Sequence, residues 1–229
     1  SIEPSIFGTL FERGLDPSKR AQLGAHYTDT GSILRIVNPV IKEPLLDEWA
    51  TSRAVIKASL EKADTAKAPA TRTKARKEAE QTLQAFMHRL GEYRVLDPAC
   101  GSGNFLYLAL QTLKDIEHRA ALEAEELGMG RGFTGMNTGV QNVHGIELNA
   151  YAAELARLTV WIGEIQWMLR HGVQPTKNPI LQPLQTIECR DAVLNDDGTE
   201  PEWPTVDAIV GNPPFLGDKL MRGALGSDY

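Results

Sequence analysis

Two short stretches of the chain carry residue types and spacings that could do chemistry. In "DAIVGNPPFLGD", residues 207–218, the apolar run Ala208-Ile209-Val210 leads straight into Gly211-Asn212-Pro213-Pro214-Phe215. Neither proline has a backbone N–H to donate, so neither continues a strand or starts a helix in the usual way. The pattern predicts a buried strand stopped by a stiff, extended turn. That turn offers two acceptors, the Asn212 side-chain oxygen and the Pro213 carbonyl, with the aromatic ring of Phe215 beside them.

The second stretch is "DPACGSGNF", Asp97 to Phe105. Gly101 and Gly103 allow a sharp turn and a close backbone approach to a ligand, and the N–H groups at the start of the following helix can meet polar ligand atoms. Leu106 stands where a dinucleotide-binding G-x-G-x-x-G would need its third glycine, and no Gly-Lys-Ser/Thr follows to make a phosphate loop. Asp97 would repel a pyrophosphate and suits a ligand with a positive charge, such as a sulfonium or an α-amino group. By itself the glycine pair is equally a tight strand–helix turn.

These stretches need elements to position them. "YRVLDPA" reads as a strand, and "GNFLYLALQTLKDIEHRAALEAEEL" has helical spacing through Phe105, Leu108, Ala109, Leu113 and Ile116. The glycine-rich loop 128–139 leads to a second strand, "VHGIEL", and then to the long helix "AYAAELARLTVWIGEIQWMLRHG". "LQTIECRD" and "VDAIVGN" are the third and fourth strands. Strands alternating with helices of this length imply right-handed crossovers and a parallel, doubly wound α/β sheet with helices on both faces. In such sheets ligands bind at the carboxyl ends of the strands.

Ahead of this core, residues 4–16 read as a short helix and 18–31 as a polar loop. "SILRIVNPVIKEPLLDEWA" reads as helix punctuated by Pro39 and Pro44. From Thr51 to Leu90 the chain is rich in Ala, Lys, Arg and Glu, and we expect two helices joined near Pro69. The charge between Lys57 and Lys77 is mostly positive, which fits a solvated face or an arm that contacts phosphates.

The chain has 229 residues, enough for one large domain or two small ones, with 42 % apolar residues and a net charge of −6. That sign argues against coating nucleic acid by bulk electrostatics, though not against a local cleft. No apolar run reaches the ~18 residues of a membrane helix, and the start lacks a signal-peptide pattern. The two cysteines, Cys100 and Cys189, show no CxxC spacing, and the five histidines no HxxxH or HExxH spacing. No metal site is expected, and a reducing, cytoplasmic setting is.

"VLDPACGSGNFL" resembles motif I of the S-adenosylmethionine-dependent DNA methyltransferases that methylate amino groups, and "GNPPF" resembles their catalytic (D/N/S)PP(Y/F/W) motif. "LGAHYTD" is similar to motif X, and the order of motifs is that of the γ-class enzymes. The blocks "IFGTLFERGLDPSKRAQLGAHYT" and "AAELARLTVWIGE" resemble the methyltransferase part of type IIL (MmeI-like) restriction–modification enzymes. The likeness covers nearly the whole chain outside residues 51–90.

The resemblance implies a class I, Rossmann-like methyltransferase divided into 1–50 (helical, with motif X), 51–90 (a helical hairpin insertion) and 91–229 (an incomplete core). It implies S-adenosyl-L-methionine as cofactor, held by Asp97, Pro98, Ala99, Gly101, Gly103, Asn104 and Phe105 after the first strand. Glu147 would take the ribose hydroxyls and Leu148 would pack on the adenine. The spacing from the first glycine to this acid is about twice the ~20 residues usual in dinucleotide folds, which an insertion across the helix end and loop explains. Asp191 would accept from the adenine amino group beside Ala192, or simply cap a turn. Thr28 would bind the methionine carboxylate, with His26 and Tyr27 lining the entrance.

In the catalytic loop, Asn212 and Pro213 would accept the two N–H bonds of a target amino group, Pro214 would stiffen the turn and Phe215 would stack on a base flipped out of double-stranded DNA. Asn before the proline pair leans toward N6-adenine over N4-cytosine. The family's sheet has about three further strands after this motif, so the fourth strand is expected at an edge and this piece alone is expected to be inactive. Target recognition would lie in a domain outside this chain, and the oligomeric state is not legible. Protein-glutamine and ribosomal-RNA methyltransferases also use NPPY/F. A nicotinamide enzyme is disfavoured by the missing glycine, and a non-catalytic scaffold of a DNA-modification or phage-defence complex stays open.

Overall fold

The computed structural model describes residues 28–130, 136–173 and 184–213. Pro214, Phe215, His26, Tyr27 and the helix expected at 4–16 lie outside the described residues. Four strands form one sheet: β1 (Val95–Asp97), β2 (Val143–Glu147), β3 (Ile187–Cys189) and β4 (Ala208–Ile209). All pair in parallel, in the order β3-β2-β1-β4, so among the described residues β4 is an edge of this sheet. Winding runs outward from β1 to β3 and then reverses to β4 on the other side of β1. The topological switch therefore lies between β1 and β4, where open α/β sheets bind their ligands.

Helix α4 (Asn104–Glu126) connects β1 to β2, and α5 (Ala150–Arg170) connects β2 to β3. The two pack against each other and bury Leu106, Ala109, Leu110, Leu113, Ala153, Ala156 and Val160 in the core. The start of α4 depends on Gly103, whose φ of +86° is left-handed and where a Cβ would lie 2.9 Å from Ala156 Cα in α5. Any side chain there would both strain the turn and push the two helices apart.

The N-terminal segment is helical and docks on α4. Helix α1 (Thr30–Val37) is capped by Asp29, whose carboxylate accepts Ser32 N–H at 3.1 Å and Ser32 Oγ–H at 2.6 Å. Pro39 and Pro44 do not end it. A widened π-type turn at Asn38–Lys42, closed by Glu43 N–H to Asn38 C=O, absorbs the missing donors and passes directly into α2 (Glu43–Thr65). Helix α3 (Pro69–Glu92) folds back along α2, so residue 51 lies inside a helix and the hairpin starts at Glu43.

Two carboxylates tie this segment to the sheet. Glu123, near the end of α4, accepts from Trp49 Nε1 at 2.8 Å and pairs with Arg53 at 3.1 Å. Asp207, just before β4, accepts Arg94 N–H and Arg89 Nη1, both at 2.7 Å. Because α4 starts at the carboxyl end of β1, Glu123 marks the opposite end of the domain. The outer hairpin beyond Arg53, with its basic residues, therefore leaves from the end remote from the loops after β1 and β4.

Candidate functional site

The site is assembled by three loops at the carboxyl ends of β1, β2 and β4. After β1 the chain turns through Pro98, Ala99 and Cys100, and Cys100 N–H bonds to Ile146 C=O of β2 at 3.0 Å. Gly101, with φ +53°, has nothing within 4 Å of where a Cβ would be, so open space faces the turn. Asp97 is 1 % exposed and accepts Ala99 N–H at 3.0 Å. Burial pushes its carboxyl up to about 7, the Ala99 N–H lowers it in part, and the nearby Glu147 charge raises it further. The Cys100 thiol beside it is also pushed well up, chiefly by burial.

Glu147 closes β2 with both oxygens oriented. Its Oε2 accepts Gly101 N–H and its Oε1 accepts Asn149 N–H, each at 2.8 Å. Each oxygen keeps a second lone pair for an incoming hydroxyl. Leu148, the next residue, is 63 % exposed, an apolar side chain presented at the strand end. Asn149 also caps α5, accepting from Tyr151 N–H and Ala152 N–H. After β3, Asp191 Oδ1 accepts Val193 N–H at 2.8 Å and Leu194 N–H at 3.2 Å, the turn-capping role open to it in the sequence. The Ala192 carbonyl accepts Trp203 Nε1–H at 2.6 Å, which pins this loop to the crossover leading to β4.

The loop after β4 reaches the loop after β1. Val210 N–H bonds to Leu96 C=O at 2.9 Å, and a Cβ built on Gly211 would lie 2.5 Å from Asp97 Oδ1. Glycine is thus required for the two loops to touch. Asn212 is exposed, and its Nδ2 donates to Thr28 Oγ1 at 3.1 Å across 184 residues of sequence. Sequence reading singled out both residues but not their contact. It also missed Gly211 as a spacer, Asn149 and Trp203; of these only Asn149 carries a local signal, as an N-cap before a helical run.

A family model for the MmeI DNA-methyltransferase domain matches residues 72–228. The chain belongs to this family. DNA methyltransferase A of Bacillus subtilis (strain 168) is 29 % identical over 240 residues, which cover 99 % of this chain and 24 % of that protein. The solved structure of MmeI, a Type IIL restriction-modification enzyme in complex with DNA, superposes with a TM-score of 0.67 over 96 % of this chain and 27 % of that one. At 24 % identity that likeness establishes the MmeI methyltransferase fold and not its chemistry here. The chain spans about a quarter of the length of the relatives it matches.

The donor set suits an S-adenosylmethionine-type cofactor: a buried acid beside an open glycine turn, an oriented carboxylate at the next strand end and an exposed leucine following it. Among the described residues, no group of three or more His, Cys, Asp or Glu side chains is arranged to hold a metal ion. No described helix is long and apolar enough to cross a membrane.

Proposed function

We propose that this chain is the catalytic part of a restriction–modification DNA methyltransferase that modifies the N6 amino group of an adenine flipped out of double-stranded DNA. The observation that carries the reading is the contact of the two loops flanking the β1/β4 switch point, Gly211 against Asp97. It sets the acceptor pair of one loop beside the candidate cofactor turn of the other.

When bound, S-adenosylmethionine supplies an electrophilic methyl on a sulfonium. Residues of the loop Asp97–Phe105 would cradle its methionine end, with Asp97 facing positive charge. Glu147 would accept from the ribose hydroxyls and Leu148 would cover the adenine face. Asp191 and Ala192 would flank its edge. Thr28 would meet the carboxylate, with Tyr27 and His26 at the entrance.

An exocyclic amino nitrogen is a poor nucleophile because its lone pair is delocalised into the ring. Asn212 Oδ1 and the Pro213 carbonyl, accepting its two N–H bonds, would favour a tetrahedral nitrogen and aim the lone pair for in-line attack. Positioning and electrostatics of this kind supply most of the rate. One amino proton leaves to solvent after transfer. Pro214, which has no N–H, would keep a donor away from the nitrogen, and Phe215 would stack on the base, offsetting by ~1–3 kcal/mol part of the cost of flipping. Sequence recognition of the duplex would come from a domain outside these residues.

Asn212→Ala in the full-length protein tests the reading by methyl incorporation into plasmid DNA followed by nucleoside analysis. The expected result is loss of N6-methyladenine. Unaltered incorporation rules out the catalytic assignment, and N4-methylcytosine from the parent protein moves the target to cytosine.

A further inference from the structure

We infer that Thr28 is a positioning residue that fixes which face of the Asn212 amide meets the target base. This rests on the proposed catalytic role of Asn212. An asparagine amide carries one acceptor and one donor end, and rotation about its terminal torsion exchanges them between two roughly equivalent orientations. Only the oxygen can hold an amino N–H; the NH2 end would set donor against donor. Asn212 is exposed, so packing does not decide between the two orientations. The bond from Nδ2 to Thr28 Oγ1, 3.1 Å long, selects one of them once the Thr28 proton is engaged by a cofactor carboxylate, because the hydroxyl can then only accept. It occupies the donor end and leaves Oδ1 for the substrate.

Both sides of the anchor are tied to ordered elements. Thr28 directly precedes Asp29, the cap of α1, and the cap is completed by Ile33 N–H to Asp29 C=O at 3.1 Å. Ile33 and Val37 then bury that helix in the core. On the other side, Val210 N–H bonds to Leu96 C=O and Gly211 lies against Asp97, directly before Asn212. The two residues are brought together by the whole domain and not by local sequence.

A threonine hydroxyl has one proton and two lone pairs. Since Thr28 Oγ1 accepts from Asn212, its own proton stays available for an anionic acceptor. A cofactor carboxylate would complete a chain running from Asn212 N–H through the Thr28 hydroxyl to the carboxylate, in which each bond polarises the next. Cofactor occupancy would then sharpen the orientation of the catalytic amide.

The test is a double-mutant cycle in the full-length protein, with kcat for methyl transfer and cofactor affinity measured separately. Thr28→Val removes the hydroxyl at nearly constant shape, and Thr28→Ser restores it. We expect Thr28→Val to lower kcat at saturating cofactor roughly 10-fold or more and Thr28→Ser to recover most of it, as for loss of an orienting contact. Adding Thr28→Val to Asn212→Ala should cost nothing further, because coupled residues are non-additive. If Asn212→Ala has no measurable rate, the Thr28→Val and Thr28→Ser kcat values decide. The inference is overturned if Thr28→Val weakens only cofactor affinity, or if the two substitutions multiply. Full activity of Asn212→Ala overturns the catalytic reading itself, a separate and distinguishable result.

Discussion

Glu147 Oε2 accepts the Gly101 N–H at 2.8 Å, so the acid at the end of β2 and the glycine turn after β1 form one hydrogen-bonded unit. The carboxylate is also held by Asn149 N–H through its other oxygen. Glu147→Gln turns one of these acceptors into a donor facing a backbone N–H, whichever way the amide points. We expect cofactor affinity to fall about 10- to 100-fold, the size of one lost charge-assisted hydrogen bond. Titration calorimetry with S-adenosylmethionine on the full-length protein checks this, and unchanged affinity would separate Glu147 from the cofactor.

Asp97 should make cofactor binding and stability depend on pH in opposite senses. Its folded carboxyl titrates near 7, against 3.8 for the ordinary group, because burial disfavours the charge. The folded state therefore binds the proton more tightly, so this contribution to stability is complete below 3.8 and is lost as pH rises through about 7. Asp97→Asn removes the titration. Its stability relative to the parent should rise between pH 5 and pH 7 and then level off, by roughly 3 kcal/mol at most. The burial that lowers the His144 imidazole acts in the other direction, with stability lost as pH falls below its ordinary value of 6.5, and cancels in the comparison. A cationic ligand stabilises the carboxylate, so cofactor binding near pH 6 should release a proton. Calorimetry in two buffers of different ionisation enthalpy measures that release.

The basic run of the hairpin could not be judged from sequence, because charge spacing says nothing about which end of a domain a helix leaves. The structure supplies that in the Trp49 and Arg53 contacts with Glu123, at the end of α4 remote from the candidate site. Lys62, Lys67, Lys74 and Lys77 are exposed on this outer part. Replacing all four by alanine should leave the salt dependence of DNA binding unchanged. Four lost phosphate contacts would instead reduce the log–log slope by about 3.6. Binding isotherms across a salt series distinguish the two.

What was legible in the sequence was whatever a short periodic pattern or a turn residue encodes. The apolar spacing of Phe105, Ala109, Leu113 and Ile116 yields α4, and Val95–Asp97 followed by Gly101 and Gly103 yields the strand and its turn. The helix punctuated by Pro39 and Pro44 is also there; what the sequence did not show is how, with a π-type turn and the packing of Val37, Ile41 and Leu45 carrying the helix through. The contacts that join loops were not legible at all. Gly211 against Asp97, and Asn212 with Thr28, depend on strand order and on residues more than a hundred positions apart.

The buried cation of α4 offers the sharpest test of the core. Lys114 is 1 % exposed, and its Nζ lies 3.0 Å from Glu164 Oε1 of α5, 2.9 Å from the Thr138 carbonyl and 5.1 Å from the centroid of Trp167. One turn further along α4, the buried Glu117 accepts from the backbone and side chains of Asn137 and Thr138. Lys114 thus joins α4 both to α5 and to the segment that enters β2. Lys114→Ala would leave the Glu164 carboxylate largely buried without its cation and open a cavity beside Trp167. Breaking a buried pair from one side typically costs about 3–5 kcal/mol. Replacing both partners with apolar residues of similar volume, Lys114→Met with Glu164→Leu, removes the stranded charge and should recover most of that loss. Chemical denaturation of the parent, the single and the double variant gives the comparison. A double variant no better than Lys114→Ala would mean that the Thr138 carbonyl, and not the charge on Glu164, is what Lys114 chiefly satisfies.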